Sequence, residues 1–123
     1  NGNNPVNLWG SGSPKREFLH VEDLADAVKF SLENKLGDNL YNVGTGKDLT
    51  IKELAILIQK TTGHKGEIYW DASKPDGTPR KLMDVSKLSD RGWNYTMELE
   101  VGIQKTYDWF LSNQDKFKEV KIQ

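Results

Sequence analysis

Apolar positions fall into two kinds of segment that alternate along the chain: short extended runs and stripes at helical spacing. Val6-Asn7-Leu8-Trp9 reads as a strand running into the turn cluster Gly10-Ser11-Gly12-Ser13-Pro14, and Arg16 to His20 as a second extended run. Leu24, Ala27, Val28 and Leu32 then recur at helical spacing, with Glu22 and Asp23 where a helix N-terminus favours negative charge. Gly37-Asp38 is expected to stop that helix, and Leu40-Tyr41-Asn42-Val43 to form a strand closed by Gly44-Thr45-Gly46. The clearest element follows: Thr50 and Glu53 form a capping box ahead of an Ile51, Leu54, Ala55, Ile58 stripe, and Gly63 stands where a left-handed cap belongs. Glu67 to Trp70 is a strand candidate, and Ser86 to Arg91 a short helix ended by Gly92. Leu99, Ile103, Tyr107 and Phe110 line one face of a closing helix. After Asn113 the sequence turns polar and lysine-rich, so residues 114–123 are expected to fray.

The order predicts an α/β fold with short strands and about three main helices. A loop, Asn1 to Pro5, leads straight into a strand, whereas an intact doubly wound domain opens on a strand and a glycine-rich turn. The pattern is therefore read as the back part of something larger.

Composition narrows the function. The 123 residues, 36% of them hydrophobic, can build one core. With 17 basic against 18 acidic side chains there is no surplus for a polyanion, so nucleic acid is not an expected partner. No apolar run could span a bilayer, and a cytoplasmic domain without membrane attachment is expected. Absence of cysteine removes thiolate nucleophiles and Cys-ligated zinc, and His20 and His64 are too far apart for an HExxH-type site, so no metal is expected.

Two glycine clusters invite a phosphate-loop reading, and neither has the spacing. Lys15 and Leu49 stand where a GxGxxG pattern needs its third glycine, and Asp48 follows Lys47 where a P-loop needs Ser or Thr. Both are read as turn glycines. A Tyr-x-x-x-Lys pair is also absent, because Thr45, Ser73, Leu99 and Leu111 lie four residues after the tyrosines. His20 is read as capping the following helix or satisfying a backbone group rather than as a base.

Two segments keep open alternatives. Trp9 to Arg16 could present an aromatic face for a base and a guanidinium for phosphate, or simply a core tryptophan beside a solvated basic pair. Asp71 to Lys81 contains a Pro75-Asp76-Gly77 turn signal, followed by Arg80 and Lys81, and suits either a plain turn or a diphosphate loop.

The runs WGSGSPKREFLHVEDLADAV, YNVGTGKDLTIKELA and DASKPDGTPRKLMDVSKLSDRGW resemble the C-terminal half of the GDP-L-fucose synthase family, which belongs to the extended short-chain dehydrogenases/reductases. The resemblance runs from about Val6 to Asn113. REFLHVEDLADA and YNVGTG are shared widely among nucleotide-sugar epimerases and dehydratases, whereas WGSGSPKREF with KPDGTPRK points to the narrower branch. It implies an NADP-dependent reaction in which GDP-4-keto-6-deoxy-mannose is epimerised at C3 and C5 and reduced at C4 to GDP-L-fucose.

By the same resemblance, Trp9, Arg16, Asp76 and Lys81 would contact the GDP-sugar, with Arg80 a weaker match beside Lys81. The family's NADP site, its Ser, Tyr and Lys triad, its Cys and His acid/base pair and its dimer helices match nothing here and would lie upstream. The expectation is a substrate-binding region at residues 1–113, a polar tail at 114–123, no catalytic residue and no turnover in isolation. The rivals are a fragment of another nucleotide-sugar epimerase or dehydratase, and a non-catalytic binding module.

Overall fold

The computed structural model describes residues 3–37 and 39–116. In chain order the elements are β1 (Val6–Trp9), β2 (Lys15–Glu17), α1 (Val21–Glu33), β3 (Asp48–Thr50), α2 (Ile51–Thr62), β4 (Ile68–Asp71), β5 (Arg80–Lys81), α3 (Ser86–Ser89) and α4 (Leu99–Ser112), with a 3-10 turn at Gln114–Lys116. The class is the expected α/β, but the strand between α1 and α2 is β3 at Asp48–Thr50 and not Leu40–Val43, and β5 is a further strand the sequence reading did not place. The strands form two small sheets. β1 pairs in parallel with β4, and β2 is the centre of a three-stranded sheet, antiparallel to β3 and parallel to β5.

Local signals explain where the helices begin. Thr50 Oγ1 accepts from Glu53 N at 3.0 Å while Glu53 Oε2 accepts from Thr50 N at 2.7 Å, which closes the capping box that starts α2. The Ile51 and Lys52 amides donate to the Pro14 and Gly12 carbonyls, so the start of α2 rests on the β1–β2 loop. Gly63, at φ +68°, ends the helix as expected. His20 caps α1, its Nδ1 accepting from Glu22 N at 3.2 Å.

Several boundaries differ from the sequence reading. The Leu40 to Val43 segment forms no strand. Tyr41 and Val43 pack against the core, Lys87 Nζ donates to Leu40 O, and Asn42 Nδ2 donates to Asp84 O. An apolar run becomes a strand only when a neighbour supplies a ladder, and this segment pairs with none among the described residues. The second extended run forms a ladder only at Lys15–Glu17. α1 ends at Glu33, before Gly37: Asn34 leaves helical geometry at φ −102°, ψ 5°, Lys35 turns into the left-handed region at φ +47°, and the Asn34 side chain donates to Phe30 O. Asp38 and residues 117–123 of the expected tail lie outside the described residues.

The buried core is small: Ala27, Leu36, Leu88 and Trp93, with Leu19, Phe30, Tyr41, Val43 and Tyr95 packed around it. Of the α1 stripe only Ala27 is buried, whereas Leu24, Val28 and Leu32 stay exposed. The helix faces the core instead through a charge. Asp23 is 3% exposed and accepts from Thr96 N, Thr96 Oγ1 and Met97 N at 3.1, 2.8 and 2.9 Å. Asp26 Oδ2 accepts from Trp93 Nε1 at 3.0 Å, so α1 holds the segment leading into α4 at two points. No helix among the described residues is long and apolar enough to cross a membrane.

Burial pushes the Asp23 carboxyl up, but the hydrogen bonds from Met97 and Thr96 outweigh it and leave it below the usual carboxylate range. The folded chain therefore holds this proton less tightly than the unfolded one. The stabilisation is present above about pH 4 and is lost as pH falls through the lowered pKa. Asp23→Asn turns an amide NH2 toward a donor and should cost about 2–3 kcal/mol at neutral pH in urea melts. It should also flatten the acid limb of the stability profile; an unchanged limb would contradict this role.

Candidate functional site

Two loops far apart in sequence are zipped together, and Trp9, Arg16, Asp76 and Lys81 lie along the seam. The parallel β1–β4 pair sets Trp9 opposite Asp71, and Gly10 N donates to Asp71 O at 2.9 Å. Beyond it the chain turns at Pro75-Asp76-Gly77 and returns alongside β2. There Lys15 N donates to Pro79 O at 2.8 Å, and β5 pairs Lys15 with Arg80 and Arg16 with Lys81.

That register sorts the four cations. Side chains alternate across a strand, and residues paired in a ladder point to the same face. Arg16 and Lys81 therefore share one face of the sheet, and Lys15 and Arg80 the other. On the second face Arg80 Nε meets Asp48 Oδ2 at 2.6 Å, and this hydrogen bond from Arg80 holds the Asp48 carboxyl below its ordinary range. Arg80 is thus engaged within the fold, whereas Lys81 is exposed beside Arg16.

Arg16 is half-buried, and its Nη1 donates to the Lys15 and Thr78 carbonyls, each at 2.7 Å. Among the described residues its hydrogen bonds run from Nη1 alone, so Nε and Nη2 keep donors for an incoming acceptor. Gly77 makes room for this guanidinium, since a Cβ there would come within 3.0 Å of Nη2.

Asp76 closes the seam at its other end. Ser11 N donates to Oδ1 at 2.8 Å and Ser11 Oγ to Oδ2 at 2.6 Å. Those hydrogen bonds, the hydroxyl's first, lower the Asp76 pKa. Gly10 takes φ +85° and is buried; a Cβ there would collide with the Asp76 carboxylate. Trp9 is 76% exposed, so it is not a core tryptophan, and Lys74 Nζ sits 5.3 Å from its ring.

Ser11 and Lys74 join the cluster without having been singled out from sequence. Small polar and basic residues are ordinary in turns, and only the pairing across 65 residues reveals them.

The turn glycines do not form a dinucleotide cradle. Glu17 reaches into the Gly44–Gly46 turn, where Gly46 N donates to its Oε2 at 2.6 Å, and a Cβ at Gly44 would meet the same carboxylate. A turn already holding a carboxylate is unsuited to a phosphate. Two apolar grooves flank α2: one of about 490 Å3 against α4, lined by Leu54, Ile58, Ile103 and Tyr107, and one of about 420 Å3 against β1 and β4. Both lack the cations of the seam. Among the described residues no three His, Cys, Asp or Glu side chains come together as a metal site.

The NAD dependent epimerase/dehydratase family matches residues 1–44. A putative GDP-L-fucose synthase 2 from Arabidopsis thaliana is 55% identical over 108 residues, which is 88% of this chain and 33% of that protein. A GDP-L-fucose synthase from Escherichia coli (strain K12) is 50% identical over 92% of this chain and 38% of its own length. Among solved structures, a GDP-L-fucose synthetase from Naegleria fowleri bound to NADP superposes with a TM-score of 0.83 at 26% identity, covering 90% of this chain and 36% of that one. The chain spans about a third of the length of the curated relatives it matches. Over nearly its whole length the chain is similar to GDP-L-fucose synthases, and it corresponds to about a third of each.

Proposed function

We propose that this chain is the GDP-sugar-binding part of a GDP-L-fucose synthase, with residues 1–113 forming the binding region. The observation that carries the reading is the seam itself: parallel β2–β5 pairing sets Arg16 and Lys81 on one face, and the turn at Asp76 closes against the loop that carries Trp9. A nucleoside diphosphate needs an aromatic surface for the base and cations for two phosphates. Trp9 stacks the base, the free Arg16 donors grip phosphate oxygens in a planar fork, and Lys81 adds a point charge. Asp76 keeps lone pairs beyond those turned to Ser11 and accepts from a sugar hydroxyl. Binding energy taken from the nucleotide, remote from the reacting hexose, orients the sugar for chemistry done elsewhere.

In this reading the substrate is GDP-4-keto-6-deoxy-mannose, epimerised at C3 and C5 and reduced at C4. NADPH supplies the hydride for that reduction. Among the described residues the Gly44–Gly46 turn does not fit the phosphates of NADP, because Glu17 occupies it; the cofactor, the proton-transfer residues and the homodimer contact are assigned to the rest of a family protein. The uncovered α1 face, with Leu24, Val28 and Leu32, suits packing against that remainder. The cytoplasm, where sugar nucleotides are handled in this reading, is the proposed location.

Calorimetric titration should show GDP binding in preference to UDP and dTDP. Arg16→Ala and Lys81→Ala should each weaken GDP by about tenfold or more, the loss expected for a charged hydrogen bond. Untouched affinity would remove their phosphate roles. The 123-residue chain mixed with NADPH and the keto sugar should leave nicotinamide absorbance flat, because no Tyr-x-x-x-Lys is present. Steady oxidation above the buffer rate would overturn the assignment of the chemistry to the rest of a family protein.

A further inference from the structure

We propose that Ser11 is a positioning residue of this site, clamping the Asp76 turn onto the Trp9 loop so that GDP affinity depends on the Ser11–Asp76 pair as a unit. The inference rests on the GDP-binding reading and extends it to a residue that contacts no ligand.

The hydrogen bonds around Ser11 leave it no spare proton. Its hydroxyl has one proton, and the 2.6 Å approach to Asp76 Oδ2 directs that proton to the ionised carboxylate. Ser13 Oγ lies 2.9 Å from Ser11 Oγ and must then be the donor of that pair, while Ser13 N donates to Ser11 Oγ at 3.1 Å. The hydroxyl is therefore a donor to Asp76 and an acceptor twice over from Ser13, which fixes its rotor. The Ser11 backbone N–H adds the 2.8 Å bond to Oδ1, so one residue holds both carboxylate oxygens.

What this grip controls lies on either side. Trp9 is two residues before Ser11, at the end of β1, and its ring is faced by Lys74 from the same loop that carries Asp76. Gly77, next to Asp76, packs on the Arg16 guanidinium, and Arg16 Nη1 holds the following Thr78 carbonyl. Releasing Asp76 from Ser11 frees the turn at its tip. Trp9 and Arg16 would then remain on their strands while losing their fixed spacing. Affinity for a ligand that touches both should fall without loss of the fold.

The test is GDP calorimetry on the full chain, with thermal midpoints recorded for every variant. Ser11→Ala and Asp76→Asn should each weaken GDP by about tenfold, and the double variant should be no weaker than the worse single one, since both remove the same hydroxyl–carboxylate bond and leave the Ser11 N–H bond to Oδ1 in place. Ser11→Thr, which keeps a hydroxyl, should restore affinity to within about threefold of the parent. Thermal midpoints should stay within a few degrees of the parent. Should Ser11→Ala fail to fold, Asp76→Asn and Ser11→Thr still carry the comparison. Parent-like GDP affinity in Ser11→Ala, or losses that multiply in the double variant, would overturn the clamp while leaving the GDP site standing. No GDP binding by the parent chain would instead overturn the site, and the clamp with it.

Discussion

The molecule depends on one constraint: the segment from Asp71 to Lys81 must lie against the segment from Trp9 to Glu17. Neither segment could hold that position alone. β5 has two residues and β2 three, lengths at which a ladder contributes only a few hydrogen bonds. The docking is instead distributed, with β1–β4 pairing at one end, Asp76 on Ser11 in the middle, and Lys15 N on Pro79 O at the other. Because the β2–β5 pairing is parallel and in one register, it also decides which cations face together. A slip of one residue would set Arg80 beside Arg16 and leave Asp48 facing Lys81.

Carboxylates serve as the fasteners throughout. Glu17 holds the Gly44–Gly46 turn, Asp48 anchors Arg80, Asp76 closes the seam, and Asp23 joins α1 to the approach to α4. A core as small as this one leaves such polar joints an unusual share of the task of fixing geometry. The same economy explains why an almost neutral chain can present a basic face. Acidic side chains neutralise Arg80 and tie down turns inside the fold, while Arg16 and Lys81 are left with their charge toward solvent.

Much of this was legible in the sequence where a local rule acts alone. The Thr50/Glu53 box and Gly63 marked both ends of α2 because capping is decided within a few residues. The two loops were legible as candidates, since nothing in a turn requires an aromatic next to paired cations. Their union was not, because β5 is too short to leave a period, and Ser11 looks like any turn serine. Leu40 to Val43 misled for the opposite reason: its composition suits a strand, but composition cannot supply the neighbour whose ladder would make it one. Likewise the spacing of the α1 stripe marked a helix, yet Leu24, Val28 and Leu32 lie uncovered and a buried Asp23 faces inward.

Everything assigned to the seam depends on where GDP touches the chain. The direct measurement is the set of backbone amide chemical shifts followed by two-dimensional NMR as GDP is added to the uniformly 15N-labelled chain. GDP held at the seam should give shifts concentrated at residues 9–16 and 74–81, with the Trp9 indole N–H moving and the groove between α2 and α4 unperturbed. Shifts centred on Leu54, Ile58 and Ile103, or none at either loop, would contradict it.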